Sequence, residues 1–257
     1  MEARTVGPCL ANPLHGLTAQ VTLREKTDPE SSLEKIATRW SSVGDPRKFL
    51  SRYERAIRNY LRAILKELDA VDEVFQDCVL KLLNRHFVKA KCDQGRFRFY
   101  LKRSVRNAAI NYLREQRRQK HVDYDITQLL ATPKDESPED VRFFSDWRDT
   151  LLQRSWRGLA EHERSSPESL CYTVLRLAAD WPSESSAQLT ERAVKMTGKQ
   201  ISVESFRKKL SRARHRFAEK LVLEVGQTLE NPNLANVELE LIDLDLIVYV
   251  RHILPGN

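Results

Sequence analysis

Three acidic side chains within six positions of one predicted helix are the first candidates for chemistry. Asp72, Glu73 and Asp77 are carboxylates, which bind hard divalent cations such as Mg²⁺. No histidine accompanies them at a helical spacing, so we predict no metal site and no cofactor. The chain also lacks a P-loop, a GxSxG motif and a paired Cys/His arrangement, so we expect a protein that is not an enzyme.

A strongly basic stretch is the second candidate, for binding rather than for catalysis. Residues 96–120 read RFRFYLKRSVRNAAINYLREQRRQK and carry nine Lys or Arg residues against the single acid Glu115. Phe97, Phe99 and Tyr100 lie among the first of these charges. Cations that follow a phosphate backbone, beside rings that stack on bases, are typical of single-stranded nucleic-acid sites. Two alternatives stay open at this point: a solvated helix face and rings that pack in the core.

A second basic segment has a clearer helical period. Residues 202–217 read SVESFRKKLSRARHRF, with apolar residues at spacings of three and four. That stripe consists of Val203, Phe206, Leu210, Ala213 and Phe217. Gly198 lies before it in a predicted turn, and the preceding helix carries Leu189, Ala193 and Met196. A helix, a short turn and a basic helix are the pattern of a helix-turn-helix, although other helix pairs share it.

Composition favours an all-α protein with a polyanionic partner. The chain has 257 residues, 8 glycines, 31% charged residues and a net charge of +7. Acids concentrate in residues 123–146, where seven stand against two bases, and in residues 224–245, where there are six and no Lys or Arg. Four scattered cysteines predict reduced thiols in the cytoplasm. No apolar run approaches a membrane span, and we find no signal peptide.

Periodicity and these charge shifts divide the chain into five predicted parts. Two small helical domains are joined by an acidic linker and followed by an extension. The predicted bounds are an N-terminal extension at 1–44, a first helical domain at 45–122, the linker at 123–146, a second helical domain at 147–224 and an acidic and apolar extension at 225–257. We expect the linker to lie along a partner without touching DNA. We expect the extension either to cap the second domain or to mask its basic helix at 203–220.

Three segments, in order, resemble bacterial RNA polymerase sigma factors. Residues 71–83, VDEVFQDCVLKLL, are similar to the family's AEDLVQEVFLRLW, with Gln76 and Asp77 in register and Glu73 at a position where Asp is usual. The basic stretch is similar to FRAWLYRIARNLAIDYLR, with Tyr100 in place of Trp and Asn111 in place of Asp. Residues 202–217 are similar to SVGTVKSRLHRARKRL. Two such domains without a third resemble the extracytoplasmic-function (ECF) type of the sigma-70 superfamily.

The resemblance implies binding to core RNA polymerase and to promoter DNA, and it assigns site residues to each. The 71–83 helix is expected to bind polymerase through Glu73, Gln76 and Asp77. The basic stretch is expected to bind the −10 element through Phe97, Tyr100, Arg103, Asn107, Asn111 and Arg114. The second basic helix is expected to bind the −35 element with Glu204, Ser205 and Lys208 at base edges and Arg207 and Arg212 at phosphates.

Two alternatives remain at the level of sequence. A helix-turn-helix regulator would bind duplex DNA without polymerase, but it would have no need for the 71–83 helix. A degenerate sigma-like interaction protein would bind polymerase but not promoters, which the basic face at 207–216 argues against. An anti-sigma factor is a further candidate partner that the sequence neither requires nor excludes.

Overall fold

The computed structural model describes residues 46–83, 97–120, 137–229 and 232–254. Every regular element in these ranges is helical and none is a strand, which confirms the predicted all-α class. The helices are α1 Pro46–Leu65, α2 Leu68–Leu83, α3 Phe97–Lys120, α4 Pro138–Ser165, α5 Cys171–Asp180, α6 Ser186–Thr197, α7 Val203–Gly226, α8 Leu234–Asp243 and α9 Ile247–Val250, followed by a 3₁₀ turn at Arg251–Ile253.

The described residues form two compact units. The first unit contains the described residues between 46 and 154 and between 221 and 254, and the second contains residues 155–220. Helices α4 and α7 each contribute residues to both units. The predicted second domain at 147–224 is therefore wider than the second unit at both ends.

The apolar stripes predicted for the first three helices form the core of the first unit. Ile57 and Leu61 of α1 are fully buried, as are Val105 of α3 and Phe143 of α4. Two aromatic pairs join α1 to α4. Tyr53 stacks on Trp147 with ring centroids 4.8 Å apart, and Tyr60 meets Phe143 edge-on at 5.4 Å. Burial of this apolar surface is the main force that holds these helices together.

Helix α4 begins nine residues earlier than the sequence pattern predicts. Residues 138–146 were expected in the acidic linker, with a helix only from Trp147 onward, and this expectation was wrong. The Ser137 hydroxyl accepts a hydrogen bond from the backbone N–H of Asp140 at 3.2 Å, which caps the helix. Pro138 is the first helical residue, where its missing N–H costs nothing, and Glu139 and Asp140 favour the positive end of the helix dipole. The proline and acids that indicated a linker are in fact start signals of a helix.

The C-terminal extension packs within the first unit. Its side chains Val237, Leu241, Leu246 and Val250 are all fully buried. Asn233 caps α8 by accepting a hydrogen bond from the backbone N–H of Asn236 at 2.8 Å. Glu240 and Asp243 form ion pairs with Arg98 of α3, and Asp245 forms one with Arg148 of α4. One of these partners, Arg148, lies inside the domain predicted at 147–224, so capping of that domain and masking of the basic helix at 203–220 both stay predictions.

The second unit is built around the apolar stripe of α7. Phe206 and Ala213 are fully buried, and Phe217 contacts Trp156 of α4 with ring centroids 4.9 Å apart. Of the apolar residues on α6, Leu189 and Ala193 are buried, whereas Met196 is 68% exposed. Thr190 is buried on α6 instead, and its hydroxyl donates to the carbonyl of Ser186 at 2.6 Å. That hydrogen bond satisfies the polar group, so the threonine can face inward.

Candidate polymerase and nucleic-acid interfaces

Helix α2 has one apolar face and one polar face, as the sequence predicts. Val71, Val74 and Phe75 are buried against the first unit, whereas Glu73 and Gln76 are exposed. The Asp77 carboxylate is half exposed and lies 2.5 Å from the Lys81 ammonium one turn later. The three residues expected at polymerase therefore share one accessible side of the helix.

Leu80 belongs to the same accessible side, and sequence reasoning missed it. Its position follows Glu73 by seven residues and Gln76 by four, so the three side chains lie on one helix face. Leu80 is 57% exposed although it is a large apolar residue. A single exposed leucine is ordinary on a protein surface, so its interest lies only in its place on the face expected to bind polymerase. The signal in the sequence was its position outside the buried stripe of Val71, Val74 and Cys78.

Cys78 occupies the buried side of α2. Burial raises the pKa of its thiol to about 11, and the neighbouring Asp77 charge acts in the same direction. The thiol therefore stays protonated at neutral pH, where the thiolate form would be needed for nucleophilic chemistry.

Helix α3 carries its charges on two different faces. Five residues are exposed along one stripe at spacings of four, four, three and four. They are Arg103, Asn107, Asn111, Arg114 and Arg118. Four of them are residues that we predicted at the −10 element. Arg118 extends the stripe toward the C-terminus of the helix, and its guanidinium pairs with Glu115 at 2.6 Å.

The other cationic face of α3 points into the first unit. The Lys102 Nζ lies 3.3 Å from the Asp140 carboxylate, and an Arg106 nitrogen lies 3.9 Å from the same group. The Tyr60 hydroxyl donates to Asp140 at 3.0 Å. One turn before Lys102, Arg98 pairs with Glu240 and with Asp243 of α8. These three cations are thus internal counter-charges, which the count of basic residues alone did not reveal.

Of the three rings among the first charges of the basic stretch, only Phe99 belongs to the described side chains. Phe99 packs edge-on against Phe144 of α4 with centroids 5.2 Å apart, and the guanidinium of Arg98 lies 4.7 Å from the Phe99 centroid. Phe99 is therefore a packing residue of the first unit. The side chains of Phe97 and Tyr100 lie outside the described residues, so their proposed contact with DNA stays a prediction.

Capping residues define the ends of α6, the turn that follows it and the start of α7. Ser185 and Gln188 form a capping box at the start of α6. Gly198 ends that helix with φ 69°, a left-handed conformation that glycine adopts without strain. The Ser202 hydroxyl accepts from the backbone N–H of Ser205 at 3.1 Å, which confirms it as the cap of α7.

Four of the five residues expected at the −35 element are exposed on α7. They are Glu204, Arg207, Lys208 and Arg212, whereas Ser205 is half-buried. The Glu204 carboxylate pairs with the Lys208 ammonium at 2.7 Å, and this hydrogen bond lowers the pKa of Glu204. To contact a base edge, Glu204 or Lys208 must therefore either break this ion pair or bind while still paired.

The other cations of α7 are partly engaged within the second unit. The Lys209 ammonium donates to the carbonyl of Glu168, and desolvation by burial lowers the pKa of the half-buried Arg214. His162 of α4 lies near Arg216 and Lys220. Burial lowers the pKa of its imidazole, and the two positive charges lower it further. Arg207, Lys208 and Arg212 are thus outward cations, as is Arg216 further along the helix, whereas Lys209, Arg214 and Lys220 are half-buried.

Within the part of the chain that the structure describes, no three His, Cys, Asp or Glu side chains come together as metal ligands. No helix in the same ranges is long and apolar enough to cross a bilayer.

Comparison with known families assigns the region that contains both faces. Residues 49–119 match the family model of sigma-70 region 2. The matched range begins inside α1, contains all of α2 and ends one residue before the end of α3. Neither the curated proteins nor the solved structures gave a significant match. The chain is therefore similar to sigma-70 region 2 over these residues, which are fewer than half of its length.

Proposed function

We propose that the protein is a sigma factor of the two-domain ECF type, which binds core RNA polymerase and directs it to promoters in the cytoplasm. One observation carries the proposal. The region 2 match falls on two neighbouring helices that each keep a distinct polar face accessible. Helix α2 offers acids, a glutamine and a leucine, which suit a protein surface. Helix α3 offers cations and amides, which suit a nucleic acid.

The exposed stripe of α3 has the chemistry needed to hold separated DNA. Arg103, Arg114 and Arg118 supply positive charge for phosphates, while Asn107 and Asn111 offer both donors and acceptors to base edges. Unstacking a base costs a few kcal/mol, so a protein that opens DNA must replace that stacking with contacts of its own. A stacked aromatic ring contributes about 1–3 kcal/mol per base, which is the role we assign to Phe97 and Tyr100.

The second DNA surface in this proposal is a helix-turn-helix formed by α6 and α7. Its support is the glycine-ended turn, the capped start of α7 and the outward cations near that start. A recognition helix contacts base edges through the residues of its N-terminal half. Glu204, Ser205 and Lys208 occupy that half. Arg207 and Arg212 then meet phosphates on either side.

Capture of purified core polymerase by the full-length chain tests the first part of the proposal. Immobilised protein should retain core polymerase, and the mixture should start transcription from a promoter selected from a random library. Retention without initiation from any promoter would indicate the degenerate sigma-like interaction protein. Duplex DNA binding without polymerase retention would instead indicate the helix-turn-helix regulator, which would leave the α2 face unexplained.

A further inference from the structure

Three cations on α3 form an inward row that runs parallel to the exposed stripe. Arg98, Lys102 and Arg106 follow one another at four-residue spacing and therefore share one helix face. Each pairs with an acid that lies outside α3. Asp140 of α4 pairs with Lys102 and Arg106. Glu240 and Asp243 of α8 pair with Arg98.

The pair between α3 and α8 is the most buried part of this row. The side chains of Arg98 and Glu240 are 3% and 2% exposed, and the Arg98 guanidinium also lies 3.1 Å from Asp243. Glu240 interrupts a face of α8 whose other inward residues are Val237 and Leu241. A carboxylate inside an apolar face is costly unless its partner is in place. Any packing of α3 and α8 that separates Arg98 from Glu240 would therefore leave a buried charge unpaired, at a cost in free energy.

The geometry of α3 couples this penalty to the exposed stripe. Arg103 and Asn107 each follow an inward cation by one residue, which corresponds to a rotation of about 100° around the helix axis. A rotation of α3 that broke the inward pairs would turn the outward residues by the same angle. The inward row, together with the buried Leu101 and Val105, thus constrains which direction the stripe faces.

We propose that Arg98 is a positioning residue and that α8 is a required part of the unit that opens promoter DNA. Glu240 and Asp243 hold the N-terminal half of α3 in the rotation that presents Arg103 and Asn107 to the DNA strand. This inference rests on the proposed function, because it assigns a role within promoter opening. Under this inference the C-terminal extension functions within the first unit rather than the second.

The test compares three single variants and one double variant of the full-length chain at a temperature where circular dichroism shows all of them folded. Glu240→Gln removes the buried charge at nearly constant size, and Asp243→Asn is a milder change at a half-exposed position. Glu238→Gln is the matched control, because it is exposed on the same helix. Exchanging the partners, with Arg98→Glu and Glu240→Arg together, tests rescue of the pair.

We expect Glu240→Gln to reduce promoter opening, measured by permanganate reactivity of unpaired thymines, by about tenfold. Closed-complex affinity and its salt slope should stay unchanged, because every exposed cation is retained. The exchanged pair should recover part of the lost opening, and Glu238→Gln should behave like the parent. Unchanged opening in Glu240→Gln, a salt slope reduced by about one, or no recovery in the exchanged pair would each overturn the positioning role.

Amide hydrogen exchange separates this inference from the proposed function. If the parent protein opens no promoter, the proposed function fails, but the ion pair can still be tested in the free chain. Glu240→Gln should then speed exchange in the first half of α3 by about tenfold and leave α2 unchanged, since loss of a buried partner loosens the helix locally. Equal exchange in the variant and the parent would overturn the coupling between α8 and α3.

Discussion

The ammonium of Lys102 lies 3.3 Å from the carboxylate of Asp140, and both side chains are nearly excluded from solvent. Lys102 belongs to the stretch that the sequence marks as basic, and Asp140 to the stretch that it marks as an acidic linker. Their contact joins α3 to α4 inside the first unit. Asp140 is thus an internal counter-charge, with Tyr60 and Arg106 as its other neighbours.

Removing that counter-charge should destabilise the first unit strongly. Asp140→Ala leaves the buried ammonium of Lys102 without its carboxylate and removes the acceptor of the Tyr60 hydroxyl. Loss of one partner of a buried pair costs about 3–5 kcal/mol of unfolding free energy. Urea denaturation followed by circular dichroism measures this, with Glu139→Ala in the same turn as the control. An effect no larger than that of Glu139→Ala would show that the pair contributes little.

Charge reversal on α2 should weaken polymerase binding without unfolding the helix. Glu73→Lys and Asp77→Lys change the accessible face, while the buried stripe stays intact. Asp77→Lys also removes the pair with Lys81, but an exposed pair contributes only about 0.3–0.5 kcal/mol. Affinity for core polymerase should fall at least about tenfold, as is common for charges in an interface.

Two further variants sharpen the test of the α2 face. Glu67→Lys makes the same charge change just before the helix and should bind normally. Leu80→Ser tests the exposed leucine and should weaken binding as well. Normal polymerase affinity in Glu73→Lys, Asp77→Lys and Leu80→Ser together would mean that polymerase docks elsewhere.

Substitutions on the exposed stripe of α3 should impair DNA opening more than DNA binding. Asn111→Ala and Arg114→Ala remove contacts that we assign to the separated −10 strand. The closed complex should form almost as well, while permanganate reactivity of unpaired thymines should drop. Arg62→Ala removes an exposed arginine of α1 and serves as the control. Opening at the level of the parent would leave the stripe as a solvated basic face.

The two types of contact proposed for α7 should respond differently to salt. Lys208→Ala should cost about 1–3 kcal/mol at one promoter position and relax sequence preference there. Arg212→Ala should weaken binding to all sequences alike and reduce the salt slope by about one. Binding assays over a salt series with a randomised −35 element measure both effects. If the two variants behave alike, the division between base and phosphate contacts is wrong.

Acid should destabilise the second unit through His162. Its pKa in the folded protein lies below the value of 6.5 in the unfolded chain, because burial and the charges of Arg216 and Lys220 oppose protonation. The unfolded state therefore binds the proton more readily, and stability that is present above pH 6.5 is lost as the pH falls through the lower folded value.

Calorimetry at pH 7.5 and at pH 5.5, conditions on either side of the ordinary histidine pKa of about 6.5, checks this effect. His162→Gln should lessen the decline in Tm between the two conditions. His215→Gln on α7 serves as the matched control for the loss of a histidine. An equal decline in His162→Gln and the parent would exclude His162 as the cause.

Local patterns in the sequence determined much of the helical architecture. The buried stripes of α1, α2, α3 and α7 follow from apolar residues at spacings of three and four. Gly198 and Ser202 mark the turn before α7 because their preferences act within a few residues. The outward residues of α2 and α7 follow from the same periodicity, since a helix that buries one side must expose the other.

Only the tertiary structure decided what each charge does. Arg98 and Arg103 have the same side chain five positions apart, yet one is buried against Glu240 and the other is exposed. Glu240 is 142 residues away from Arg98 in the chain, so no local pattern relates them. A count of charges gives the sign of a segment, whereas pairing depends on which helices pack together. Burial and counter-charges therefore divided one basic stretch into an internal row and an accessible stripe, and they placed the acidic extension with the first unit.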